Sequence, residues 1–201
     1  MPDEGVIEWA VKRLRNNRSR GPSRMWAEHI KGWLAATRRA EKGETADTEK
    51  GGQEDPREGA ENWTRFVDLV QTTFREGNLA EKATWQAVVL IPKGKKNYRG
   101  IDLVEVMWKV VAAILNRRFT AFITYHNSLR GFRAVRGTGT ATPEAKLLQK
   151  LTALREKVLY VIFLNLHKAY AALDRSRCLK VLEGYGVGPK ARRLLSTTGT
   201  A

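Results

Sequence analysis

The sequence predicts an α/β (α+β) chain, mostly helical, with one short hairpin-like β element and one longer central strand. Three observations lead there: apolar residues recur every three or four positions over much of the chain, two compact apolar runs stand at 87–91 and 158–166, and glycine or proline marks most of the joins between them.

Asp3 is placed to cap a helix whose Ile7, Ala10, Val11 and Leu14 fall on one face. Lys12, Arg13, Arg15, Arg18 and Arg20 make its end strongly basic, and Gly21-Pro22 stops it. Trp26, Ile30, Trp33 and Leu34 predict a second helix closing near Arg38 and Arg39. From Arg39 to Glu61 the periodicity vanishes; four cations against eight acids leave this stretch at −4, so the rest of the chain carries +19. It reads as a solvated, disordered linker or insertion. Trp63, Phe66, Val67, Val70 and Phe74 mark a third helix that Gly77 ends, and Ala87 to Ile91 reads as a buried strand closed by Pro92. A long amphipathic helix follows from Val104 to Ile123. Thr142-Pro143-Glu144 supplies a cap and first turn for another, bearing Leu147, Leu148, Leu151 and Leu154. Val158 to Leu166 is the strongest strand signal, the nearly continuous apolar run of a sheet covered on both faces. A last helix pair lies around Leu179 to Leu182 and Ala191 to Leu195.

The 201 residues are 42% hydrophobic, enough for one good core or two small ones. A net charge of +15 and a pI near 10.2 exceed anything folding requires and point to a polyanion, with RNA or DNA ahead of an anionic membrane. No apolar run approaches the roughly 18 residues that cross a bilayer. Met1 to Gly5 carries acids rather than the basic start of a signal peptide. The expectation is a soluble, intracellular protein of cytoplasm or nucleus without membrane partners. Cys178 is the single cysteine, which excludes an internal disulfide, and His29, His126 and His167 are scattered.

Two segments invite a phosphate. Residues 91–101 hold Lys93, Lys95, Lys96 and Arg99 within seven positions after a strand end, where the lysines act as mobile point charges and Arg99 as a bidentate donor. The competing reading is a solvated basic turn. Residues 131–141 combine glycines and small hydroxyls with Arg133 and Arg136, suited to a nucleic-acid backbone, or simply to a linker into a helix; the Gly-Lys-Ser/Thr ending of a P-loop is absent.

Val161-Ile162-Phe163-Leu164-Asn165-Leu166-His167-Lys168-Ala169-Tyr170-Ala171-Ala172-Leu173-Asp174 resembles motif A of reverse transcriptases (RNA-directed DNA polymerases) of the group II intron and non-LTR retrotransposon type. The basic loop resembles the first fingers motif of that family, and Gly131-Phe132 with Arg136-Gly137-Thr138 the second, in family order. Gly21-Pro22 and the run Trp85 to Val88 also sit where such enzymes carry comparable residues. The resemblance implies a helical N-terminal segment (1–38), the linker (39–61), fingers (62–157) and the start of a palm (158–201), with no thumb. It also implies that Lys93, Arg99, Ala169 and Tyr170 face an incoming nucleotide, with Tyr170 as 2′-hydroxyl gate, while Lys95, Lys96, Arg133 and Arg136 meet the nucleic acid. Tyr170 is equally readable as core packing.

The family holds two Mg2+ ions with one motif A aspartate and a later Tyr-x-Asp-Asp pair. Here Asn165 occupies the aspartate position, Ala171 replaces its neighbour, and Tyr-x-Asp-Asp does not occur. A neutral amide does not offset the charge of a hard cation. Asp174 survives, with helix capping as its simplest role. The expectation is therefore a degenerate N-terminal reverse-transcriptase fragment, a pseudoenzyme with no intact catalytic residue and no cofactor of its own, which retains nucleic-acid binding. Two alternatives stand beside it: one half of a split polymerase whose partner chain completes the palm, and a basic nucleic-acid-binding adaptor.

Overall fold

The computed structural model describes residues 1–43, 56–94, 97–166, 169 and 172–197. Asp3 does cap the first helix, α1 (Glu4–Lys12): its Oδ1 accepts the Val6 N–H at 2.8 Å. The helix ends at Lys12 rather than at Gly21-Pro22, so the basic run from Arg13 onward is loop. Helix α2 (Ala27–Glu41) and helix α3 (Pro56–Glu76) are the best-packed pair. At Gly59 an added Cβ would lie 2.7 Å from the Cβ of Ala36, so glycine is what lets the two backbones approach. The intervening residues 44–55 lie outside the described residues.

Trp63, Phe66, Val70 and Phe74 line the buried side of α3, and the Phe66 ring stands 6.1 Å from Trp63 and 6.5 Å from Trp33 of α2. Each such side chain withdrawn from water contributes about 1.5–3 kcal/mol. Ile7 from α1 and Ile30 from α2 complete that side of the core. Polar bonds fix how α1 lies on it: Trp63 Nε1 donates to Glu4 Oε1 at 2.6 Å and Arg38 Nε to Glu8 Oε1 at 2.9 Å.

A short α4 (Glu81–Thr84) leads into a hairpin of β1 (Gln86–Pro92) and β2 (Tyr98–Val104), paired antiparallel from Gln86↔Val104 to Pro92↔Tyr98. The hairpin was expected, but the buried strand expected at Ala87 to Ile91 is instead largely exposed. Val88, Val89, Leu90 and Ile91 are exposed, because each strand has the other as its sole hydrogen-bonding neighbour among the described residues and no helix covers either face there. The long helix is present as α5 (Val106–Phe122), burying Val106, Met107, Val110, Val111, Ile114 and Leu115.

The chain forms two units: Met1–Ala121 with Arg175–Ala201, and Phe122–Asp174. The first contains the core just described. It also holds α7 (Arg175–Gly184) and α8 (Pro189–Ser196), whose Leu194 is 1% exposed in that core. The second holds α6 (Thr138–Leu154). Helix α6 starts a turn before the expected Thr142, because Thr140 Oγ1 accepts the Gly137 N–H at 3.1 Å and closes the end there; Pro143 falls inside. None of its residues is buried. The largest departure is residues 158–166, which form no strand and are exposed throughout. A strand exists only where a neighbour accepts its backbone bonds, and none of the described segments lies alongside to do so. Among the described residues no helix is long and apolar enough to cross a membrane.

Candidate nucleic-acid interface

Residues 13–26, between α1 and α2, are strongly basic: Arg13, Arg15, Arg18, Arg20 and Arg24 follow Lys12 at the end of α1, with no acid between Glu8 and Glu28. A loop of like charges is held in one shape only if something else binds its backbone. Neighbouring helices do so. The Asn17 N–H donates to Glu28 Oε1 at 2.5 Å, and Lys31 Nζ donates to Leu14 O and Asn16 Oδ1, both at 2.6 Å. Glu105, 5% exposed at the start of α5, accepts the Ser23 N–H at 2.6 Å and the Ser23 hydroxyl at 2.5 Å. Gly21 lies so close that an added Cβ would stand 2.8–2.9 Å from three Glu105 atoms, two of them backbone. Asn17 and Arg24 take left-handed backbone angles (φ +54° and +60°), so the loop is tightly turned.

The carboxylates are spent on the backbone of the loop, and its guanidiniums are left without them. Among the described residues Arg13, Arg15, Arg18, Arg20, Lys109 and Arg117 make no ion pair. Aromatic rings hold several instead: Arg13 and Arg117 lie over Trp9 at 5.1 and 4.5 Å from its centroid, and Arg20 over Trp26 at 4.5 Å. The Asn17 bond holds the Glu28 carboxyl below its ordinary range. At Glu8, partial burial pushes up but hydrogen bonds from Arg38 and Lys12 outweigh it, so that carboxyl is lowered too.

Under the loop is a cavity of about 550 Å3. Its floor is apolar, from Ala10, Leu14, Met25, Leu103, Val106 and Ala113; its rim is cationic, from Arg13, Arg15, Arg18 and Lys109. Helix α5 contributes the far wall through Val106, Lys109 and Ala113, and Arg117 follows Ala113 one turn on, outside the lining. The basic run was legible in the sequence, but its partnership with α5 was not.

The residues singled out from sequence fall in separate places. Lys93 is exposed at the end of β1, its N–H closing the turn onto Asn97 O at 2.6 Å, and Arg99 is not in a loop but on β2, opposite Ile91 and exposed. Lys95 and Lys96 lie outside the described residues. In the second unit Arg133 donates to His126 O at 3.3 Å and stands 5.7 Å from the Tyr125 ring, while Arg136 donates to Asn127 O at 3.0 Å, so both brace their own loop. Asn165 and Ala169 are exposed; Tyr170 and Ala171 lie outside the described residues.

Asn165 offers a neutral amide on an exposed stretch, and among the described residues no three His, Cys, Asp or Glu side chains converge. In comparisons with known proteins, no family model matches the chain, and no curated protein or solved structure is significantly similar to it.

Proposed function

We propose that the chain is a reverse-transcriptase-like protein, built as fingers with the first part of a palm, that binds nucleic acid and does not itself add nucleotides. One observation carries the binding: a loop whose backbone is bolted down by Glu28, Lys31 and Glu105 while its arginines have no carboxylate partner among the described residues. Guanidiniums arranged this way are paired by phosphate oxygens. The +15 net charge supplies long-range attraction of the same sign. The lack of polymerisation follows from Asn165 at the motif A position, where charge compensation for a divalent ion is required.

Fluorescence anisotropy of a labelled single-stranded RNA, titrated over a range of salt, tests the binding. Neutralising about four phosphates gives a log–log salt slope of about −3 for a single strand. Equal affinity at low and high salt would overturn the proposal.

A second reading, a chain that works only with a partner, is favoured by one feature. The second unit exposes Leu147, Leu148 and Leu154 on α6 and the whole apolar run 158–166, with Ile123 its sole buried hydrophobic residue among those described. A partner strand laid along 158–166 would satisfy both its backbone and its side chains.

A further inference from the structure

The cavity beneath the 13–26 loop is more than a gap under a basic patch. A phosphate backbone alone needs surface cations; it has no use for an apolar floor of alanine, leucine, methionine and valine. Those two parts together match a ligand with a flat, weakly polar body and an anionic edge. From this pairing we infer that the cavity takes one unstacked nucleobase of a single-stranded nucleic acid, whose flanking phosphates sit on Arg13, Arg15, Arg18 and Lys109. The inference rests on the nucleic-acid reading above and adds to it the unit that is recognised.

Size, charge and shape agree. At about 550 Å3 the cavity falls in the range of sites that enclose a small organic body. A base within a duplex is stacked and cannot enter it, so the occupant is a single strand or a flipped nucleotide. Ala113 keeps the far wall low beside Lys109, and the guanidiniums of Arg13 and Arg117 already lie over the Trp9 ring, a cation–π contact that a nucleobase face also offers. The floor is bounded on both sides by elements that do not move independently: Glu105 ties the loop to the start of α5, and Lys109 Nζ reaches Ser19 O at 3.4 Å. Such a cavity is shaped before its ligand arrives, which lowers the ordering cost of binding.

The experiment compares two probes of equal charge: an oligothymidylate of about 15 nucleotides and an abasic sugar-phosphate strand of the same length. The intact full-length chain should bind the base-bearing strand about tenfold more tightly. Ala113→Phe, which fills the cavity without removing a cation, should abolish that difference while the abasic strand keeps its salt-sensitive binding. Equal affinity of the two strands for the unsubstituted chain would overturn the inference whether or not the variant folds, while salt-sensitive binding of both would still uphold nucleic-acid recognition. If neither strand binds, both readings fall together. Phosphatidylserine vesicles provide the remaining arm: vesicle binding that Ala113→Phe weakens more than it weakens the oligothymidylate would assign the cavity to a lipid and overturn the inference.

Discussion

Gly21 has no room for a side chain, and that single fact ties the basic loop to the rest of the fold. Gly21→Ala would drive a methyl group to 2.8–2.9 Å from the Glu105 backbone and carboxyl, which should cost about 1–3 kcal/mol by overpacking. Glu105→Ala removes the acceptor for the Ser23 N–H and hydroxyl, with a similar loss of about 1–3 kcal/mol. Both should appear as lowered urea midpoints, and an unchanged midpoint for either would mean the loop is not anchored there. Acid should loosen the same region. The folded-state pKa values of Glu8 and Glu28 lie below the ordinary 4.5, so the unfolded chain takes up protons first. The stability these groups supply is complete above the ordinary value and is lost as pH falls through the depressed ones. Glu8→Gln should therefore shrink the drop in urea midpoint between about pH 6 and about pH 3; a drop of undiminished size would contradict the role given to Glu8. At the motif A position, Asn165→Asp should yield no magnesium-dependent nucleotide addition in a primer-extension assay.

At the level of elements, helices were legible in the sequence because a 3.6-residue period is a local property: Ile7, Ala10 and Val11, or Trp63, Phe66 and Val70, declare a buried face without reference to anything distant. Ends were less so, since α6 begins at Thr138, closed by the Gly137–Thr140 bond, before the more obvious Thr142-Pro143. Strands were the weak point for a physical reason. An apolar run shows that a segment should be covered, but not that a neighbour exists to cover it. Residues 86–92 find one six positions on, at Tyr98, whereas 158–166 find none among the described residues. The cavity was illegible because it joins residues near 10–27 to residues 103–113, a juxtaposition only the fold makes. Ile162 and Phe163, at 82% and 92% exposure, support nothing they touch. Ile162→Lys with Phe163→Lys should leave stability within about 0.5 kcal/mol, read as an unchanged urea midpoint. A clear loss of stability would show that the segment is packed after all.

Over the whole molecule, charge and burial are distributed unequally. The first unit owns the core, the bolted loop and the cations around its cavity, while the second presents a helix and an extended run that leave their apolar side chains in water. A chain carrying +15 repels its own copies, which favours polyanionic or acidic company over simple dimerisation. The most direct test is to compare the salt dependence of single-stranded RNA binding by the unsubstituted chain with that of the Arg15→Gln, Arg18→Gln double variant. Loss of two phosphate contacts should flatten the log–log slope by about 1.4, with the urea midpoint unchanged because both side chains are exposed and unpaired. An identical slope in the two proteins would place the binding elsewhere and contradict the loop as its seat.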